Sequence, residues 1–320
     1  MAAALATVST LGAMYNWEAS RILLQRHPIT GVIYSVAGAK MHLYCTGSGA
    51  PTVIMEAGLG RDWLDAQPVQ QKLSRFTRVC SYDRSGLGWS PQRAGVRDAT
   101  TIAHELNALL KTAGVPPPFV LMGHSGGGVF ALEFAHRFPE EVAAVVLAEA
   151  ASPRQFDDLP GYRESVSAYL TSEPAKIRWR RLREWTGLQR LTGRCNGDRS
   201  LPSPDLRWLS KAESCRLDYE GADLLEYVDF EQSAQEAAQL TSLGDKPLLI
   251  LSRDPSQISR NARKQDAMAW ERMQESLAAL SKRSLRVTVP GAGHELYRDR
   301  PDFVTDQVVN LLAELRTSKP

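Results

Sequence analysis

At 320 residues, with 38 basic and 36 acidic side chains, the chain carries a formal net charge of only +2, which excludes the clustered basicity that nucleic-acid binders use to displace counterions. Apolar residues make up 43% and charged residues 23%, an ordinary globular composition rather than a disordered or fibrous one. Such a length suits one large domain with an inserted subdomain, or two modest domains.

From Ala2 to Met14 the chain is apolar, but these 13 residues fall short of the ~20 needed to span a bilayer and no early basic region precedes them. Residues 1–29 therefore read as an N-terminal tail or a weak anchor, on a chain that is otherwise expected to be soluble and cytoplasmic. Residues 31–46 alternate around Gly38, as expected for an antiparallel hairpin. Beyond them, short apolar runs at 52–55, 78–82, 119–122, 142–148, 247–251 and 285–289 alternate with helix-like segments. That rhythm is the signature of a mostly parallel sheet with helices on both faces.

The helix beginning near Thr101 places Ile102, Leu106, Leu109 and Leu110 on one stripe and stops at Gly114. Between residues 152 and 240 the strand rhythm vanishes, so the chain divides into a tail (1–29), a first sheet segment (30–151), a helical cap (152–240) and a second sheet segment (241–320). No fixed-period repeat interrupts this organisation. Of the four cysteines, none forms a Cys-x-x-Cys pair or lies at zinc spacing from a histidine, so no metal knuckle or redox motif is expected. Cys195 and Cys215 are the pair read as a candidate bridge.

The chemistry is carried by Gly123-His124-Ser125-Gly126-Gly127, which follows a buried-strand run and precedes a helix that Pro139 stops. A serine on a sharp strand-to-helix turn has its hydroxyl exposed, and glycines two residues to either side let strand and helix approach without Cβ clashes. The same turn puts Ser125 at a helix N-terminus, where the Gly126 amide points at any oxyanion formed there. The competing interpretation is a glycine-rich turn that only caps a helix.

A serine hydroxyl needs a base. Of the six histidines, His27 lies in the tail, His42 in the hairpin, His104 and His136 within helices, and His124 on the turn, aimed away from its neighbour. His294 alone follows a strand at the carboxyl edge of the sheet, on a Gly-rich loop able to present it to Ser125. The third member should be a carboxylate that fixes the tautomer of that imidazole. Asp254, just past the 247–251 strand, is preferred, and Glu149, at the end of the 142–148 strand, is its rival. Leu59, in the Gly58-Leu59-Gly60 turn, is the candidate for a second oxyanion amide. Residues 82–90 read either as a loop pin or, through Trp89, as a pocket wall.

Together, Glu56 to Gly60, Tyr82 to Ser90, Gly123 to Gly127 and Gly291 to His294 resemble the α/β-hydrolase superfamily, specifically bacterial members with a helical cap, over about residues 30–316. The resemblance implies the α/β-hydrolase fold, a cofactor-free Ser125–His294–Asp254 mechanism and oxyanion donors from the backbones of Leu59 and Gly126. Ser125 argues against haloalkane dehalogenase and epoxide hydrolase activities, which place an aspartate at the nucleophile position. A carboxylesterase acting on a small-molecule ester is therefore expected. Amide or C–C bond hydrolysis, including a proline iminopeptidase-like activity, and a non-catalytic ligand-binding member of the fold are the alternatives.

Finally, Lys176 to Arg190 is strongly basic, with Trp179, Leu182, Trp185 and Leu188 interleaved. The favoured reading is a cap helix with its apolar side inward and a solvated arginine face. The other is a helix lying on an anionic membrane surface.

Overall fold

The computed structural model describes residues 2–26, 28–193, 195, 197–214, 222–258 and 264–317. Each apolar run becomes a strand because runs apolar on both faces need cover from both sides. Among the described residues eight strands form one sheet: β1 (Val32–Val36), β2 (Ala39–Thr46), β3 (Thr52–Glu56), β4 (Val79–Tyr82), β5 (Phe119–His124), β6 (Val142–Ala148), β7 (Leu248–Ser252) and β8 (Ser284–Thr288). In space they lie in the order β1-β2-β4-β3-β5-β6-β7-β8. The β1–β2 and β2–β4 pairs are antiparallel and every later pair is parallel.

The helices are α1 (Ala2–Arg26), α2 (Gln67–Leu73), α3 (Ala99–Thr112), α4 (Gly127–Arg137), α5 (Gln155–Asp158), α6 (Tyr162–Trp185), α7 (Leu188–Leu191), α8 (Pro204–Glu213), α9 (Ala222–Val228), α10 (Phe230–Ala237), α11 (Lys264–Leu277), α12 (Leu296–Asp299) and α13 (Pro301–Thr317). Strand alternation divides the core in two. Ile54, Leu121, Val145 and Leu147 face one layer with α3 and α4, while Val53, Met55, Val120 and Met122 face the other with α2 and α13. Helices α5 to α10 fill the interval between β6 and β7. Phe230 and Ala234 of α10 join the first of these cores.

Two features go beyond the expectations drawn from the sequence. The N-terminus is a continuous helix against α6 and α8. Cys45 and Cys80 form a disulfide, because the antiparallel register of β2 and β4 places them directly opposite. Cys195 is also disulfide-bonded, whereas Cys215, like His27, lies outside the described residues.

Candidate active site

Three of the parallel strands end at one place. Ser125 follows β5, Glu149 follows β6, and His294 sits on the loop after β8. Both Ser125 and Glu149 adopt left-handed backbone, with φ of 52° and 46°, a conformation that costs of order 1 kcal/mol in a non-glycine residue and persists only when its surroundings enforce it. For Ser125 the enforcement is visible: its amide donates to the Ala148 carbonyl at 3.2 Å and its carbonyl accepts from Ala151 N–H at 2.8 Å. A Cβ on Gly123 would meet the Gly127 carbonyl at 2.5 Å, and one on Gly127 would meet the Glu56 carbonyl at 2.4 Å. Only glycine fits at either position.

This turn aims the Ser125 hydroxyl at His294, with Nε2 to Oγ at 3.1 Å. On the far side of the ring, Nδ1 lies 3.9 Å from Oε1 of Glu149. Glu149 is fully buried, its other oxygen accepts from Arg253 N–H at 2.8 Å, and the Arg253 side chain pairs with Oε1 at 3.2 Å. Arg253 in turn stacks over Trp270, whose ring meets the His294 ring edge-on.

Asp254, the preferred acid on sequence grounds, is placed differently. Its carboxylate turns back onto its own loop, accepting from Ser256 N–H at 2.9 Å and Gly291 N–H at 2.8 Å. These bonds, that from Gly291 first, hold its pKa below the ordinary carboxylate value. The Asp254 amide also donates to the Ala292 carbonyl at 2.8 Å. Asp254 thus staples the base of the histidine loop, and Glu149 is the carboxylate that faces the imidazole. The reason is local: Asp254 caps the single turn Pro255–Gln257, which commits its side chain to that turn's amides.

Behind His294 lies a second buried pair. His124 points away from Ser125, its Nδ1 at 3.2 Å from Asp65 and its Nε2 at 2.9 Å from the His294 carbonyl. Burial opposes the imidazolium of His124, but the hydrogen bond and charge of Asp65 outweigh it and raise the pKa. For Asp65, burial is likewise outweighed by His124 and nearby arginines, and its pKa falls to about 2. The remaining histidines stand apart. His42 bonds Asp83, His104 packs on Phe138, and His136 lies within α4.

Leu59 and Gly126 meet beside the serine, close enough that a Cβ on Gly126 would strike Leu59 Cγ at 2.5 Å. Neither amide donates to a protein acceptor among the described residues. The loop bearing Leu59 is held by a buried ion pair that sequence reading missed. Arg84 donates to the Ala57 carbonyl at 3.0 Å and the Gly58 carbonyl at 2.7 Å, and pairs with Glu226 of α9 at 2.6 and 2.9 Å. Glu226 also accepts from Gly60 N–H at 2.9 Å. Asp83 ties the 82–90 segment to Trp63 N–H and Trp89 N–H, and Trp89 packs with Trp63 in a separate cluster, so the segment pins loops.

Over the serine is a cleft of about 280 Å³, walled by Leu59, Phe230 and Trp270 and made polar at one end by Gln155, Tyr162 and Tyr227. Gln155 is buried, with its Oε1 lacking a hydrogen-bond partner. No cluster of three or more potential metal ligands occurs among the described residues.

The model of the "Alpha/beta hydrolase family" matches residues 46–307. Among curated proteins, the uncharacterised protein YbdG of Bacillus subtilis (strain 168) is 30% identical over 128 residues, a match that covers 39% of this chain and only 39% of that protein. The uncharacterised protein YqjL of the same organism is 24% identical over 273 residues, covering 85% of this chain and 87% of that protein. Among solved structures, a thermophilic esterase from Thermogutta terrifontis superposes with a TM-score of 0.62 at 19% identity, over 90% of this chain and 99% of that one.

Proposed function

The chain belongs to the alpha/beta hydrolase family, and from that premise we propose that it is a serine hydrolase that cleaves carboxylic esters through an acyl-enzyme on Ser125. The observation that carries this reading is the 3.1 Å approach of His294 Nε2 to Ser125 Oγ on a left-handed turn. In the proposed reaction His294 takes the hydroxyl proton as Ser125 attacks the ester carbonyl, then returns it to the leaving alkoxide. Water, deprotonated by the same imidazole, releases the acid. The amides of Leu59 and Gly126 are the proposed donors to the tetrahedral oxyanion. Glu149 is assigned the role of the triad carboxylate, stabilising the imidazolium; its 3.9 Å separation from Nδ1 shortens in the Michaelis complex, as is usual for catalytic hydrogen bonds that are loose in the free enzyme. A cleft of about 280 Å³ favours short acyl groups.

The test is a series of p-nitrophenyl acetate, butyrate and octanoate with wild type and three variants. Ser125→Ala is expected to lower kcat by about 10⁶-fold and Glu149→Gln by about 10⁴-fold, while Asp254→Asn, which only loosens the histidine loop, retains most activity. Turnover should favour acetate and butyrate over octanoate. If no ester is hydrolysed and a fluorophosphonate probe leaves Ser125 unlabelled, the hydrolytic reading falls and ligand binding without turnover takes its place.

A further inference from the structure

Helices α1 and α6 present the wrong faces to solvent. Along α1, Gly12, Asn16 and Ser20 are spaced four apart and so share one face, and it is this small, polar face that packs inward. A Cβ on Gly12 would meet the Thr186 carbonyl at 1.9 Å. Asn16 donates to the Glu184 carbonyl at 3.0 Å, and Arg190 donates to both Asn16 and Ser20. Leu24 packs inward against the Trp63 cluster, but other apolar residues are left outside, with Trp17 64% and Met14 62% exposed.

The end of α6 repeats the inversion. Glu173 and Glu184 are buried, whereas Trp179 is 59% and Trp185 48% exposed, and Leu191 of α7 is 67% exposed. Because Gly12 and Gly187 are in contact where the helices cross, these outward side chains gather within a few helical turns of one point. Of 18 large apolar residues exposed among those described, 11 lie on α1, α6, α7 and α8. That concentration is far more than the scattered apolar exposure of an ordinary surface.

Basic charge predominates around this face, although Glu18 of α1 is exposed beside Arg21 and Glu173 pairs with Arg180. Residues 177–193 carry five arginines and a single acidic residue, Glu184, which is buried. Tryptophans and leucines interleaved with arginines fit the boundary between anionic headgroups and acyl chains. No helix among the described residues is long and apolar enough to cross a bilayer, so this geometry is that of a surface laid on a membrane. We propose that the α1–α6–α7 face docks on anionic lipid bilayers, with Trp17, Trp179 and Trp185 at the acyl boundary and the exposed Arg178 and Arg181 on the headgroups. Tyr162, at the opposite end of α6, lines the cleft over Ser125, so the docked helix runs from the lipid surface to the site.

The test is sedimentation of the full chain with vesicles of phosphatidylcholine alone or mixed with phosphatidylglycerol, using wild type, Arg178→Gln/Arg181→Gln and Trp179→Ser/Trp185→Ser. Wild type is expected to pellet with the anionic vesicles only and to be released by salt. Each arginine removed should lower the partition coefficient about five-fold, and the tryptophan variant should lose most binding while keeping the wild-type melting temperature. In wild type alone, quenching of tryptophan fluorescence by brominated lipid should accompany binding. Equal pelleting with neutral vesicles, indifference to the arginine variant, or a concentration-dependent dimer abolished by Trp185→Ser would overturn the proposal, the last by identifying a second copy as the occupant.

Discussion

The rim of the sheet and the outer face of α6 and α7 use the same residue types in opposite ways. At the rim, charged side chains are buried and each is met by a partner: Arg84 by Glu226, Asp65 by His124, Glu149 by Arg253. On the outer face, tryptophans and leucines stand in solvent and the one acidic side chain of residues 177–193 is buried. Folding accounts for the first arrangement, since unpaired charges in a dry interior would be prohibitive. It does not account for the second, because burying those apolar groups among the α5–α10 helices would have been favourable by roughly 1.5–3 kcal/mol each. The contrast separates residues that hold the site from residues that face something else.

The largest effect on stability should come from breaking a pair at the rim. Glu226→Ala removes the two close carboxylate contacts of the buried Arg84 guanidinium and leaves only Glu56, 3.6 Å away, as a counter-charge; a loss of about 3 kcal/mol is expected in guanidinium unfolding, with weaker hydrolysis because the Leu59 loop loses its anchor. Wild-type stability in that variant would mean that Arg84 finds other acceptors and that the rim is less constrained than its partners imply.

Next is Asp65→Asn. The pKa of Asp65 is depressed from 3.8 to about 2, so its contribution is present above the ordinary carboxylate value and lost as pH falls towards 2. The pKa of His124 is raised, so its contribution is complete below the ordinary imidazole value and lost as pH rises through the raised one. The pair is therefore worth most between these limits. The variant should be destabilised by roughly 2 kcal/mol at about pH 5, with the gap from wild type narrowing in acid. A gap independent of pH would show that packing, rather than charge, sets the value of the pair.

The smallest effect should be on the other face, where Trp179→Ser is expected to change stability by no more than about 0.5 kcal/mol. A larger loss would place Trp179 among the groups that hold the α5–α10 helices together and dissolve the contrast between the two regions.

Much of the fold was legible because its signals are local. Apolar runs between glycines give parallel strands, and Gly123 to Gly127 between a strand and a helix announces the sharp turn that displays Ser125. The position of His294 followed from its place after a strand on a Gly-rich loop. The carboxylate was harder, since β6 and β7 are both followed closely by an acidic residue, Glu149 and Asp254. Choosing between them depended on two things absent from local pattern: Asp254 is consumed by capping its own turn, and Glu149 bends into left-handed backbone without being a glycine. Glu226 had no local signal at all, lying 142 residues from Arg84 in a segment without strand rhythm. The outward face was misjudged for a similar reason. Periodicity reveals that α6 has two faces, but which one turns inward was decided by the approach of α1, through Gly12 and Asn16.

The Arg84–Glu226 pair also limits how the α5–α10 segment can be exchanged. Glu226 lies in that segment, yet it accepts from Gly60 N–H and completes the coordination of an arginine that grips the Leu59 loop beside the sheet. A chimaera that grafts a foreign insertion between β6 and β7, even one of suitable shape, must bring a carboxylate to the same spot. Without it, the graft would leave a buried cation with only the more distant Glu56 beneath the loop that faces Ser125. The segment is therefore replaceable only in outline, because one of its side chains is structurally part of the layer below.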